Sequence, residues 1–276
     1  MTLLELKKDF TDRLSRAGFE APDLEALFIV CEAAGIPDRE FALHAREVPG
    51  AGMCEQAESF LTRRLAHEPW QYIFGHVPFR DLELAVGPGC LIPRPETEYS
   101  IDLMLNGLPR GAFVCELGVG SGAISLALAS ERPDLTVVGT ELSPDALKWA
   151  ERNLKTLGLP NVTFLQGDLF APVAGRRFDL IAANLPYIPE GDRGKLPPNV
   201  RDYEPAEALF AGPDGLDVIA RALEQVPAFL SPSGRIFFEL DPCNAEQAFA
   251  FAADFLHETA LLTDQYGAVR FLTAKS

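Results

Sequence analysis

The run "DLIAANLPYIPE" ends in Asn184-Leu185-Pro186-Tyr187, so an apolar segment stops at an amide, a proline and an aromatic ring. A plain turn needs neither the amide nor the ring. The Asn184 side chain offers one oxygen acceptor and the Leu185 carbonyl a second, while Pro186 removes a competing backbone donor and restricts Leu185 to extended geometry. Two acceptors side by side suit a planar –NH2 group. Holding both of its hydrogens turns the nitrogen lone pair out of conjugation and toward an electrophile, and the Tyr187 ring gives the flat group a face to lie against. A strand-ending turn is the plain alternative.

Three further constellations carry chemistry. In "CELGVGSGAISLALA" a strand ends at Glu116, Gly118, Gly120 and Gly122 make the turn, and a helix starts near Ala123, so a ligand can approach the backbone at the mouth of a sheet. The same glycines fit a dinucleotide fingerprint or a tight strand-to-helix turn. Glu141, in "GTELSP", stands roughly 20 residues further on, where an acid accepts hydrogen bonds from both ribose hydroxyls of a nucleoside. Its alternative duty, complementing a helix N-terminus, already has a candidate in Ser143, which precedes Pro144 as an N-cap would. Asp168, in "LQGDLF", is a third acid on the same rim, placed to meet an adenine amino group or to remain a solvated strand-end carboxylate.

These residues need a particular frame. After Ile101, apolar and often β-branched runs ("AFVCEL", "TVVGTEL", "VTFLQGD", "FDLIAANL", "GRIFFEL") alternate with helical stretches such as "AISLALASE" and "SPDALKWAERNLKTLG". That is an α/β, doubly wound, mostly parallel sheet. "ALLTDQYGAVRFLTA" places two apolar runs either side of a Gly-containing turn, which predicts a C-terminal antiparallel hairpin. Ahead of this frame, Leu3, Leu6, Phe10 and Leu14 recur at helical spacing, and "PDLEALFIVCEAAG" and "MCEQAESFLTRRLAHE" repeat the pattern. The expected division is a small helical domain over residues 1–72, a hairpin or linker over 73–98, and the α/β domain over 99–276. Residues 191–213, rich in Pro and Gly, are expected to form a long loop.

Composition narrows the partners. The chain has 276 residues, 40 acidic against 24 basic, and a formal charge of −16, a field that repels phosphate backbones. A stable nucleic-acid partner is therefore not expected. Five scattered cysteines and four histidines show no metal-ligand spacing, so no metal is expected. No apolar run is long enough to span a bilayer, and the charged N-terminus is unlike a signal peptide. A cytoplasmic monomer without a membrane partner is the expectation.

The chain also resembles a known family, the HemK/PrmC peptide chain release factor glutamine N5-methyltransferases. The likeness runs through "HEPWQYIFG" (67–75), "LIPRPETE" (91–98), "ELGVGSGAISLALA" (116–129), "SPDALKWAERN" (143–153), "NLPYIP" (184–189), "YEPAEALFAGPDGLD" (203–217) and "DQYGAVR" (264–270). It implies a seven-stranded methyltransferase sheet, S-adenosylmethionine as cofactor, and the Gly-Gly-Gln loop of class I release factors as substrate. On that likeness Glu116, Gly118, Gly120, Gly122, Glu141, Asp168 and Asn184 bind the cofactor. Asn184 to Tyr187 hold and orient the substrate glutamine, with Arg94, Glu96 and Glu98 along its approach, where structural ion pairing is an equal alternative for the three charges. The family has Pro at the position of Leu185, Asp at those of Glu116 and Glu141, and Gly where Asp241 follows "FEL". Two rival functions share parts of this pattern: a nucleic-acid adenine N6-methyltransferase, whose target needs the same two acceptors, and a non-catalytic cofactor-binding protein.

Overall fold

The computed structural model describes residues 1–276, which divide into two compact units, Met1–Gly75 and His76–Ser276. The first is helical: α1 (Leu3–Arg16), α2 (Pro22–Ala34), α3 (Phe41–His44), α4 (Ala51–Leu65) and α5 (Trp70–Phe74). Its helices begin where local chemistry dictates. Thr2 caps α1 in a full capping box with Glu5, and Pro22 opens α2. The spaced residues Leu3, Leu6, Phe10 and Leu14 are all buried, together with Ile29, Val30 and Leu61. Each such side chain contributes about 1.5–3 kcal/mol by leaving water. At five residues, α5 is too short to announce itself by periodicity; it is held by packing, with Phe74 edge-on to Phe60 at 5.4 Å and Trp70 beside Phe28 at 5.7 Å.

The second unit opens with an antiparallel hairpin, β1 (His76–Phe79) and β2 (Leu82–Ala85), followed by α6 (Pro95–Leu105). Residues Pro95–Glu98, expected as linker, instead make the first turn of α6. Pro95 is preset for a first helical position, and Glu96 and Glu98 complement the helix dipole there. Next come β3 (Phe113–Leu117), α7 (Ala123–Glu131), β4 (Thr136–Glu141), α8 (Pro144–Leu157), β5 (Val162–Gln166) and β6 (Phe178–Ala183). The expected loop over 191–213 contains short turns, α9 (Pro198–Arg201) and α10 (Ala206–Leu209), too brief for a periodic signal. The chain ends with α11 (Asp217–Phe229), β7 (Leu230–Glu239), α12 (Ala245–Ala253), β8 (His257–Thr263) and β9 (Val269–Lys275).

The sheet has seven strands in the order β5-β4-β3-β6-β7-β9-β8, all parallel except β9, which is antiparallel to both neighbours. The expected doubly wound sheet and its terminal hairpin are thus both present. Strand order reverses between β3 and β6, and a sheet of this kind binds its ligand at the carboxyl ends beside that reversal. Register does the placing. Leu117 pairs with Thr140 on one side and Ala183 on the other, and Ala183 in turn is level with Phe238 of β7. One step past those pairs stand Gly118, Glu141, Asn184 and Glu239. Four chemically distinct side chains or turns therefore meet on one rim because four strands stop together.

Candidate active site

An open cavity lies on that rim. Gly118, Gly120, Thr140, Glu141, Ser143, Asp168, Asn184, Leu185 and Arg221 line it. Gly118 (φ +72°) and Gly120 (φ +55°) lie in the left-handed region. A Cβ on Gly118 would press within 3.1 Å of the Leu185 side chain, whereas one on Gly120 would project into open space. The turn at Gly120 thus leaves room for a ligand where any side chain would stand.

Glu141 fastens this turn. Its carboxylate accepts hydrogen bonds from Gly120 N at 2.8 Å and Ser143 N at 2.8 Å, so the acid and the glycine loop form one unit. Burial raises the Glu141 pKa, opposed by these backbone donors. Ser143 accepts from Ala146 N and caps α8, leaving Glu141 free of that duty. The loop is held from behind by Asn153 of α8, which donates to Ser121 O at 3.0 Å while exchanging bonds with both backbone groups of Ala85. Asp168 lines the cavity but is paired with the Arg221 guanidinium, a partner that no sequence pattern indicates.

Two of the expected cofactor residues stand apart from the cavity wall. Gly122 serves the entry of α7, where a Cβ would meet Leu126 and Phe164 at 3.0 Å. Glu116 is buried, and its carboxylate accepts from the backbone N–H (2.8 Å) and the hydroxyl of Ser125, in the first turn of α7. It caps that turn from the neighbouring strand rather than facing a ligand. Burial pushes its pKa up to about 8. A carboxyl whose folded pKa lies above its unfolded value loses stability as pH climbs from the unfolded pKa to the folded one, roughly 1.4 kcal/mol for each pH unit between them. The expected outcome is that Glu116→Gln gains on the parent in urea denaturation as pH goes from about 5 to about 8.5. A stability difference independent of pH would show that Glu116 is ionised throughout.

Asn184 is half-buried, and its Nδ2 donates to Thr97 Oγ1 at 3.2 Å. Leu185 is buried, its side chain in the apolar cluster of the α/β unit and against Gly118 at the cavity wall. Beyond Pro186 the chain runs extended beside residues 209–212, with Ile188 N donating to Leu209 O at 2.9 Å and Glu190 N to Gly212 O at 3.0 Å. The Tyr187 carbonyl accepts from Asn244 Nδ2 at 2.9 Å, and its hydroxyl donates to Glu239 at 3.3 Å. A second cavity, walled by Leu91, Arg94, Asn184, Tyr187, Ile188 and Leu209 among others, lies beside the first. Asn184 lines both.

The charges of "PRPETE" divide. Arg94 lines the second cavity but is paired at 2.6 Å with Glu204, whose side chain is fully buried. Glu98 accepts from Arg80 N at 2.7 Å, a structural bond. Glu96 touches neither cavity. The motif's contribution to the rim is instead the uncharged Thr97, which nothing in the charge pattern indicates.

Comparison with known proteins adds to this geometry. A family model described as the PrmC N-terminal domain matches residues 5–75, and one described as a methyltransferase domain matches residues 109–261. A release factor glutamine methyltransferase of Deinococcus radiodurans is 36% identical over 277 residues, covering 100% of this chain and 99% of its own. Another, of Geobacter sulfurreducens, is 38% identical over 84% of this chain and 82% of its own. The chain belongs to the release factor glutamine methyltransferase family.

Among solved structures, the Thermus thermophilus 16S rRNA N2 G1207 methyltransferase RsmC in complex with AdoMet and guanosine is 20% identical, with a TM-score of 0.56 over 73% of this chain and 49% of that one. A Pyrococcus furiosus methyltransferase is 20% identical, with a TM-score of 0.55 over 71% of this chain and 89% of that one. Both show the methyltransferase fold. The cofactor of this family member is S-adenosylmethionine, and the first cavity suits it chemically. It combines an open glycine cradle, three carboxylates (Glu141, Asp168 and Glu207) and Thr140, whose buried hydroxyl has no protein partner. No helix is long and apolar enough to cross a membrane.

Proposed function

We propose that this methyltransferase transfers a methyl group from S-adenosylmethionine to the side-chain amide nitrogen, N5, of the glutamine in the Gly-Gly-Gln loop of class I peptide chain release factors. The observation that carries the reading is the position of Asn184, which lines two adjoining cavities. One suits the cofactor; the other, with apolar walls, suits an inserted side chain. When bound, the cofactor supplies a sulfonium-activated methyl group. Glu141 holds the ribose and, through Gly120, the shape of the cradle; Gly118 and Gly120 let the cofactor lie close to the backbone, and Asp168 borders the adenine end.

At the junction, Asn184 Oδ1 and the Leu185 carbonyl accept the two hydrogens of the target amide. That fixes its plane and leaves the nitrogen lone pair facing the cofactor cavity. An amide nitrogen is a poor nucleophile, so the rate comes from orientation, polarisation and exclusion of water; the methyl would leave the sulfonium as S-adenosylhomocysteine departs, and the proton displaced from the nitrogen would pass to solvent. Pro186 keeps Leu185 extended, so its carbonyl stays available. Tyr187 and Leu209 wall the second cavity, and Arg94 stands at its edge with Glu204. The helical unit at the N-terminus would grip the rest of the release factor. The reading includes a cytoplasmic monomer. The −16 charge disfavours nucleic acid as an alternative substrate.

The test is mass spectrometry of a class I release factor incubated with the protein and S-adenosylmethionine. The expected result is a gain of roughly 14 Da on the Gly-Gly-Gln glutamine, lost when that residue is replaced and far weaker on a short peptide, which lacks remote docking energy. Methylation of adenine in DNA or RNA with the release factor untouched would overturn the proposal.

A further inference from the structure

The amide of Asn184 can turn about its terminal torsion and present either oxygen or nitrogen to a substrate, and only the oxygen can accept from an –NH2 group. The residues behind it decide which. Glu239 is buried at the end of β7, where the register of β6 and β7 brings it level with Asn184. Thr97, buried in the first turn of α6, donates its hydroxyl hydrogen to Glu239 Oε2 at 2.7 Å. A hydroxyl has one hydrogen, so toward Asn184 the Thr97 oxygen has only lone pairs to offer. It accepts from Asn184 Nδ2 at 3.2 Å, and Asn184 Oδ1 is turned the other way. The other oxygen of Glu239 accepts from the Tyr187 hydroxyl at 3.3 Å. One buried carboxylate thus anchors both the amide and the ring of the Asn-Leu-Pro-Tyr segment.

We propose that Thr97 and Glu239 are positioning residues that set the amide of Asn184 with its oxygen toward the substrate, acting through a directed chain of hydrogen bonds from Asn184 to Thr97 to Glu239. The proposal rests on the glutamine methylation reading given above. Ser100 donates to the Thr97 carbonyl at 2.6 Å, which holds the turn carrying Thr97. The charged and titratable groups that act on Glu239 are Arg270 from β9, Glu96 from α6 and Tyr187. Burial pushes the Glu239 pKa up to about 7, and polarity runs one way along the chain in the ionised form, in which it ends on an acceptor.

Thr97→Val keeps the shape and removes the hydroxyl, leaving nothing to choose between the two faces of the Asn184 amide. The expected result is a fall in kcat of about 10–100-fold on release factor, with KM and the cofactor Kd within about twofold of the parent. Thr97→Ser, which restores the oxygen, is expected to recover activity to within about threefold. A merely structural role would move Tm, KM and cofactor affinity together and would not distinguish serine from valine in kcat alone. Unchanged kcat in Thr97→Val, or equal impairment in Thr97→Ser, would overturn the proposal. Should Thr97→Val fail to fold, Thr97→Ala is assayed in the same way. Independently of any variant, the side-chain NH2 of Asn184 in the 15N-labelled parent is expected to show slowed hydrogen exchange, and free exchange would refute the proposal. A parent that leaves release factor unmethylated points instead to failure of the functional reading, while active parent and active Thr97→Val point to failure of the positioning role alone.

Discussion

Asn184→Ala is expected to lower kcat on release factor by roughly 10²–10³-fold or more, the scale on which enzymes lose rate when one preorganised hydrogen-bonding group at the reacting centre is removed. Cofactor affinity by calorimetry is expected to stay within about twofold. The separation follows from what each neighbour holds. Asn184 borders the cofactor cavity, but the turn at Gly120 is fastened by Glu141, which the substitution leaves alone. On the proposed reading, what is lost is one of two acceptors for the target amide, and with it the angle of the nitrogen lone pair. The Leu185 carbonyl remains, so an amide can still enter the second cavity; it enters with its plane unfixed. Removing Asn184 also leaves Thr97 Oγ1 without its donor, a local cost that Thr97 still offsets by its bond to Glu239. A variant that folds yet loses cofactor binding as steeply as activity would place Asn184 in the cofactor's cradle and not at the target amide.

The frame of this site was legible in the sequence because its signals are local. Alternating apolar runs and a glycine turn specify a parallel sheet and the mouth at Gly118 and Gly120, and an acid at the next strand end specifies Glu141. Asn184 stood out for a similar reason: an amide two residues before a proline and three before an aromatic ring has few ordinary uses at a strand end. The supporting residues were not, because their roles depend on register between distant strands. Glu239 lies 55 residues beyond Asn184 and Thr97 lies 87 before it, and only the β6–β7 pairing and the placement of α6 bring the three together. Charge pattern misdirects in the same region. Glu96 and Glu98 stand out as acids in "PRPETE", yet they serve the helix start and Arg80, while the hydroxyl between them reaches the rim. Glu116 shows the limit of analogy by position: an acid at the strand end is visible, but its turn to Ser125 follows from where the first turn of α7 sets the Ser125 N–H and hydroxyl.

Glu141→Ala is expected to raise the cofactor Kd about 10–100-fold, the range for losing hydrogen bonds to a charged group, while kcat at saturating cofactor changes far less. Two losses combine. On the proposed reading the ribose loses its acceptor, and Gly120 N loses the carboxylate that fastens the turn. Glu141→Gln separates them in part: one oxygen remains, but the amide nitrogen must face a backbone N–H at Gly120 or Ser143, so one of the two anchors is lost and an intermediate affinity is expected. pH supplies a check on the charge itself. Burial raises the Glu141 pKa, so the carboxylate takes up its proton at a higher pH than an exposed glutamate does. Cofactor affinity carried by the ionised form is therefore full above that raised pKa and is lost as pH falls through it, whereas the alanine variant, having no proton to gain there, binds with an affinity that changes less over the same interval. Calorimetric titrations of parent and Glu141→Ala across the acidic range read this directly. Parallel pH curves for the two proteins, or a Glu141→Ala variant that binds cofactor like the parent, would remove Glu141 from the ribose and leave it only the glycine turn.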